Sequence, residues 1–324
     1  MPRDLRLGLV GCGRIAERGY VPALRLVRGM RLAALADPVP SRCCQLVPGL
    51  PSFPDAATMI AAGGIDAIVL ATPVSTHLAD ARRAEKAGLP TLVEKPPAMS
   101  AEEAAALASI VPPPWIGFNR RFDPRLARLR AAVPANGDVA LSLDLHYGTG
   151  SWRPYAVSDD ALFAVGTHLI DLARWLTRSD VHRARAVTLG PNRAVLELEL
   201  TRGPARISCA TDQPPRDRIE VRNGAGRQIA RHDGVGLWPQ AHLLMTMLRD
   251  PNLRRLIQPA SRTSLVRLLI RELEAFASAA RGGEASSLAT AADGLAVMSV
   301  VDAARRSASE GASWQPLQVA TLRP

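Results

Sequence analysis

The sequence predicts an α/β unit built on a doubly wound parallel sheet, followed by an α+β unit whose open, mostly antiparallel sheet is covered by helices. Three observations predict this. Apolar runs alternate with helical patterns from Leu5 to Asn119; the rhythm changes after Asn119; and five strand-like stretches then follow one another before two long helices close the chain. With 324 residues, 47% hydrophobic and 22% charged, the chain is long enough to build two cores. The break places the units at 1–118 and 119–324, close to the proline cluster at 112–114.

In the first unit the strands read LRLGLVG, RLAALAD, DAIVLATP, TLVEKP and WIGFN, with helical patterns from about Arg14, near Ser41, over Ser75 to Ala87 and from Ala101. The strands are short continuous apolar runs with little polar alternation, as expected where helices cover both faces of a parallel sheet. The second unit begins with a helix over about Phe122 to Ala132, a strand from Val139 to Tyr147, and a helix from Asp160 to Leu176. The stretches HRARAVTL, RAVLELEL, ARISCAT, DRIEVRN and GRQIARH follow, separated by Gly, Pro and Asn, and read as an antiparallel meander. Helices over Ser261 to Arg281 and Thr290 to Ser309 complete the pattern.

Several function classes are disfavoured by composition. The net charge is +10, yet only two of the 40 basic residues are lysines, Lys86 and Lys95, and the arginines are scattered without basic runs or interleaved aromatics, so no nucleic-acid partner is expected. The four cysteines, Cys12, Cys43, Cys44 and Cys209, form no CxxC pair or His/Cys ladder, and no metal is expected. There is no apolar run of about 18 residues, and Arg3, Asp4 and Arg6 precede too short an apolar stretch for a signal peptide; no membrane partner and a cytoplasmic location are expected.

GLVGCGRIAERGY places Gly11, Gly13 and Ala16 in a GxGxxA pattern directly after the first strand and at the start of a helix. Gly11 permits a tight turn, Gly13 lets the backbone approach a pyrophosphate, and Ala16 lets helix and strand pack closely, while the helix start offers free N–H groups. The unit is therefore read as a Rossmann dinucleotide-binding domain, with Cys12, Arg14 and Ile15 in the cofactor loop. Asp37 ends the second strand, where a carboxylate can accept hydrogen bonds from ribose hydroxyls and repel a 2′-phosphate. NAD(H) is favoured; Arg42, one turn on, leaves NADP(H) open. A plain helix N-cap before Pro38 is the other reading of Asp37.

Lys95 attracts attention for a different reason. In a chain that writes nearly every cation as arginine, a lysine in a proline-flanked segment suggests proton chemistry, because lysine can release its proton and arginine cannot. Partly desolvated beside a cationic nicotinamide, its amine can move the hydroxyl proton of a carbinol. An outlying surface cation is the alternative.

GxGxxA, ADP, ATPxxxH, EKPP, FNRRFDP and GTHLIDLARWL, in this order and spacing, resemble the glucose-fructose oxidoreductase, inositol dehydrogenase and rhizopine-catabolism (Gfo/Idh/MocA) family, and the likeness covers nearly the whole chain. The resemblance implies an NAD(P)-dependent dehydrogenase or reductase acting on CH–OH. It further implies catalytic roles for Lys95 and His168, cofactor contacts at Ala71, Thr72, Pro73, His77, Glu94, Lys95 and Asn119, and substrate contact at Arg121, with a clamp between the units as the other reading of that arginine. A homodimer or homotetramer is implied by resemblance alone. His77 is as readily structural as chemical. His168 and Asp171 share a helix face with Trp175, which suits a site lip, while a core histidine satisfied by Asp171 is the bland alternative.

One departure from the family pattern stands out: Ala164 occupies the position where the family usually has an Asp ahead of the histidine. Either Lys95 and His168 suffice, or Tyr147, Tyr155, Asp159 or Asp160 fills the role, or the usual dehydrogenation is lost. Ser158, Asp159 and Asp160 also replace glycines, so the pocket formed by Lys95, Arg121, Tyr147, Tyr155, Ala164 and His168 is reshaped. The leading expectation is hydride transfer between nicotinamide and a secondary alcohol or ketone of a sugar, amino sugar, cyclitol or related small polar metabolite. The alternatives are a non-redox NAD-binding sensor or scaffold, and an imine reductase.

Overall fold

A computed structural model describes residues 3–148, 160–234 and 264–317. The first sheet contains β1 (Leu5–Val10), β2 (Met30–Ala36), β3 (Ser52–Phe53), β4 (Ala67–Leu70), β5 (Thr91–Glu94) and β6 (Trp115–Gly117), all parallel, in the order β3-β2-β1-β4-β5-β6. Strand order reverses between β1 and β4, and such a switch point opens a crevice at the carboxyl ends of the strands. Every residue of β4 and β5 is buried, which explains why these strands read as unbroken apolar runs. The crossovers are α1 (Val21–Leu24, preceded by a π-helical turn at Ala16–Tyr20), α2 (Pro40–Leu46), α3 (Ala56–Ala62), α4 (His77–Lys86) and α5 (Ala101–Ala108). Asp55 caps α3 by accepting from the Thr58 N–H, and Ser100 caps α5 by accepting from the Glu103 N–H.

The second sheet corrects the expected meander. After α6 (Pro124–Ala132), its strands β7 (Val139–His146), β8 (Val181–Leu189), β9 (Arg193–Leu200), β10 (Gly203–Ala210), β11 (Arg216–Asn223), β12 (Gln228–Asp233) and β14 (Gln315–Pro316) run in the order β12-β11-β7-β10-β9-β8-β14. β10 and β11 do not pair. The connector TDQPP ends in Pro214 and Pro215, which lack donors for a tight hairpin, and β7 fills the space between. Leu143 of β7 stands opposite Ile207 in a parallel pair and opposite Ile219 in an antiparallel one. All three side chains are fully buried, so the interposed strand places its apolar row in the core.

Helices α7 (Thr167–Thr177) and α9 (Ala291–Ser309) cover one face of this sheet, with Leu169, Leu172, Val300 and Ala304 in the same core as Ala184, Leu196 and Leu198. The opposite side carries cross-strand ion pairs between Arg183 and Glu199 and between Arg185 and Glu197.

The chain also returns to its first unit. Helix α8 (Ser264–Ala279) packs Val266, Leu269, Leu273 and Phe276 among Leu7, Leu9, Tyr20 and Leu92. Contact is close because residue 19 has no side chain: a Cβ there would lie 2.6 Å from Leu269 Cδ1. Each buried leucine contributes about 1.5–3 kcal/mol, so α8 forms a substantial part of this core. Then β13 (Ala289–Thr290) pairs antiparallel with β6 and makes the seventh strand of the first sheet. The chain enters α9 through a capping box between Thr290 and Asp293. Among the described residues, no helix is long and apolar enough to cross a membrane.

Candidate functional site

The glycine turn lies at the switch point. Gly11 has φ +96°, and a Cβ there would come within 2.4 Å of the Ala71 carbonyl oxygen, so the turn presses directly on the end of β4. A Cβ on Gly13 would meet nothing within 4 Å, leaving open space where Arg14 and Ile15 begin the next helix. Asp37, 4% exposed, accepts the Cys12 N–H on Oδ2 and the Val39 N–H on Oδ1, each at 2.9 Å. It is not the cap of α2, which starts at Pro40 with Val39 in the cap position. The Arg42 guanidinium lies 3.6 Å from Asp37 Oδ1 and is partly exposed.

These features fit a dinucleotide. The cradle over Gly13 and the N–H groups of the helix start suit a pyrophosphate, and the Asp37 carboxylate has lone pairs left for ribose hydroxyls. Cys12 and Cys43 are buried thiols 3.4 Å apart, and all four cysteines are free. Burial raises both thiols above the ordinary cysteine range, as suits packed, unreactive residues.

Ala71, Thr72 and Pro73 continue from β4 beside the glycine turn. His77 is 1% exposed; its Nε2 lies 3.0 Å from the Thr72 carbonyl and its Nδ1 3.3 Å from that of Pro97. Burial lowers its basicity. It joins the loops that follow β4 and β5, a positioning task that leaves its ring facing two backbone carbonyls.

Glu94 ends β5 and Lys95 follows it. The Lys95 amine donates to the carbonyl of Ala164 at 2.9 Å. Beneath it, the Glu94 carboxylate accepts the Tyr20 hydroxyl at 2.8 Å and the Lys95 backbone N–H at 3.0 Å. Burial raises the Glu94 carboxyl, while the Lys95 charge and these donors hold it down. Ala164 lies in a π-helical turn, Leu162–Gly166, that runs straight into α7. Its backbone thus provides an acceptor for Lys95 where its side chain provides none.

His168 follows in the first turn of α7, edge-on to Phe118 with ring centroids 6.2 Å apart, and its Nδ1 is buried without a hydrogen-bond partner. Burial, then the charges of Lys95 and Arg120, hold the ring well below the usual histidine range, so it is a neutral imidazole at neutral pH. Asp171 does not satisfy it. That carboxylate instead pairs with Arg121, which also reaches Asp293 at 3.3 Å, so Arg121 takes the clamp geometry rather than an open position. Trp175 packs under the Arg130 guanidinium, which lies 4.8 Å from its ring centre. Asn119 is buried at the junction, and Tyr147 follows β7, half-buried. Asp160 accepts the Phe163 N–H at 2.7 Å and lies 3.5 Å from Arg305, so it organises the π turn. Tyr155, Ser158 and Asp159 lie outside the described residues.

Sequence reasoning missed three members of this neighbourhood. Tyr20 supports Glu94 from the helix after the glycine turn. Asp217 on β11 pairs with Arg120 at 2.6 Å behind His168. Glu272 on α8 is fully buried near Glu94. Only Glu272 left a readable signal, as a carboxylate on the apolar stripe of Leu269, Leu273 and Phe276.

A family model described as an oxidoreductase family with an NAD-binding Rossmann fold matches residues 5–112. The rhizopine catabolism protein MocA of Rhizobium meliloti is 30% identical over 323 residues, covering 92% of this chain and 93% of the relative. Inositol 2-dehydrogenase 2 of Saccharopolyspora erythraea is 28% identical over 335 residues, covering 98% and 96%. Among solved structures, GenD2 from gentamicin A biosynthesis in complex with NAD matches with a TM-score of 0.81 at 21% identity, over 98% of each chain. The scyllo-inositol dehydrogenase of Lactobacillus casei with NAD(H) and scyllo-inositol matches with a TM-score of 0.75 at 19% identity, over 97% of this chain and 99% of the other. At such identities the structures establish the fold, and the full-length match to MocA establishes the lineage. The chain belongs to the Gfo/Idh/MocA family of NAD-binding oxidoreductases.

Proposed function

We propose that this oxidoreductase interconverts a secondary alcohol and a ketone on a cyclitol or sugar, with Lys95 moving the hydroxyl proton and His168 positioning the oxygen. The observation that carries the reading is the Lys95 amine, anchored to the Ala164 carbonyl and underlain by the buried Glu94 carboxylate. Bound NAD supplies the hydride acceptor, held by the turn at Gly11 to Ile15, by Asp37 and by the segment Ala71 to Pro73. The Ala164 carbonyl fixes the Lys95 nitrogen, which there can meet a substrate hydroxyl. A neutral His168 beside it can donate or accept a hydrogen bond to the same oxygen without adding a second cation.

The substrate class is supported by the relatives, two of which are named as inositol dehydrogenases. The absence of a carboxylate at Ala164 removes one acceptor for a substrate hydroxyl, which favours a polyol differing from those relatives' substrates at that position. The test is to mix the protein with NAD and a panel of cyclitols and sugars, and with NADH and the matching ketones. Formation or loss of the reduced nicotinamide's near-ultraviolet absorbance supports the reading. Dinucleotide binding without turnover on the whole panel overturns it in favour of a binding protein.

A further inference from the structure

Two π-helical turns, one from each unit, reach Lys95, one directly and the other through Glu94. In the first, Ala16–Tyr20, the Val21 N–H bonds to the Ala16 carbonyl five residues back; in the second, Leu162–Gly166, the Thr167 N–H reaches the Leu162 carbonyl in the same way. Such single turns inside a helix are rare and concentrate at functional sites. The second brings the Ala164 carbonyl to the Lys95 amine at 2.9 Å. The first ends in Tyr20, which is fully buried and whose hydroxyl donates to Glu94 Oε1 at 2.8 Å. The other oxygen, Oε2, accepts the Lys95 N–H at 3.0 Å. With a donor on each oxygen, Glu94 has the arrangement of an ionised carboxylate. A buried tyrosine hydroxyl needs some acceptor, and any main-chain carbonyl would serve; here the acceptor is the carboxylate next to the proton carrier.

We propose that Tyr20 is a positioning residue for Lys95: its hydroxyl holds the Glu94 carboxylate as an anion fastened to the Lys95 N–H, while the Ala164 carbonyl fixes the amine. The helix that carries Tyr20 starts at Arg14 in the glycine turn, so the element that suits a pyrophosphate also steadies the proton carrier. The inference rests on Lys95 having that role, but the effect on its amine can be read without turnover. Lys95 acts on Glu94, Glu94 and Glu272 of α8 act on Tyr20, and His168 feels the Lys95 charge across the site. A carboxylate deprived of a donor in a dry site takes up a proton more readily. Loss of the Tyr20 hydroxyl therefore neutralises Glu94 and withdraws the negative charge that favours the protonated amine.

Reductive methylation with isotope-labelled formaldehyde reads the amine directly, because the chain has only two lysines and the exposed Lys86 serves as an internal control. In the full chain with NAD bound, Tyr20→Phe, which deletes one oxygen and keeps the ring, is expected to lower the midpoint of the Lys95 signal by roughly half a pH unit or more, with Lys86 unmoved. Para-aminophenylalanine at position 20, which returns an N–H donor to the same place, is expected to restore the midpoint. Glu94→Gln is expected to lower it alone. Adding Tyr20→Phe to Glu94→Gln is expected to lower it no further, since a residue that acts through another is non-additive with it.

An unchanged Lys95 midpoint in Tyr20→Phe overturns the proposal, as does a further fall of equal size in the Glu94→Gln background. A midpoint that para-aminophenylalanine fails to restore also overturns it, by assigning Tyr20 to packing alone. The titration separates these outcomes from failure of the catalytic reading. If wild-type protein turns over no substrate yet the Lys95 midpoint follows the expected series, the link from Tyr20 stands and the assignment of Lys95 as proton carrier falls. Where substrate is turned over, Tyr20→Phe is expected to lower kcat roughly three- to tenfold with KM for NAD unchanged, and to move the pH profile with the amine; equal kcat and profile count against the proposal.

Discussion

Arg121 and Asp171 form an ion pair that solvent hardly reaches, with side chains 6% and 1% exposed and Nε donating to Oδ2 at 3.0 Å. The arginine follows the last parallel strand of the first sheet, the aspartate sits on α7, and Asp293 at the start of α9 takes a further donor. Three segments are tied at one guanidinium. Removing one partner of such a pair strands the other as a buried charge, so Arg121→Met is expected to lower stability by about 3–5 kcal/mol. Denaturant unfolding checks this, and a loss below about 1 kcal/mol, the scale of an exposed pair, would contradict it.

Lys95→Ala is expected to lower kcat by roughly a hundred- to ten-thousand-fold, the usual range for a general acid–base group, with NADH affinity within a few-fold of wild type. Steady-state kinetics and fluorescence titration of bound NADH measure the two quantities separately. Unchanged turnover would remove the amine from the reaction.

Ala164→Asp places a carboxylate near the lysine that its own carbonyl now holds. Opposite charge favours the protonated amine, so the limb of the kcat/KM profile assigned to Lys95 is expected to move to higher pH by roughly one unit. A profile that stays in place, in a protein that still folds and binds NADH, would show that residue 164 does not act on the amine.

Asp37→Ala removes the acceptor of the Cys12 and Val39 N–H groups as well as the expected partner of the ribose. Affinity for NAD is expected to fall by about tenfold or more, the loss of one or two charge-assisted hydrogen bonds, with a smaller change for NADP. Isothermal titration with both dinucleotides decides the matter; equal losses would assign Asp37 to the loop alone.

Asp66 offers a pH test of the first sheet. The Arg6 guanidinium beside it holds its carboxyl down to about 2. A carboxyl depressed in the folded state stabilises above its unfolded value, near pH 4, and the contribution is lost as pH falls toward about 2. Since both side chains are about 30% exposed, the effect is modest. Thermal melts are expected to show wild type above Asp66→Asn at neutral pH and the two converging in acid.

Much of this architecture was legible in the residues. The GxGxxA turn, Asp37 and the lone lysine of the EKPP segment each carry a side-chain or conformational requirement that a sequence displays, and the structure places them along the carboxyl edge of one sheet. Ala164 was legible only as an absence. Its carbonyl, which holds Lys95, belongs to every residue alike and has no signature in the sequence. The partners of Arg121 were likewise hidden, because Asp171 and Asp293 lie 50 and 172 residues further along the chain and only the fold brings them to one guanidinium. The entry of β7 between β10 and β11 was missed because neighbouring strands with turn residues between them ordinarily pair. The two prolines of the connector were the available warning.

The return of α8 and β13 to the first sheet has a consequence for how the protein is made. A ribosome that has released the first 118 residues has produced the whole parallel sheet but not its final edge strand or the helix that seats against Tyr20 and Leu92. That apolar face stays open until α8, Ser264–Ala279, has emerged, so the nascent first unit must be shielded while the greater part of the chain is made, and the chain's last third acts as the lid that finishes its beginning.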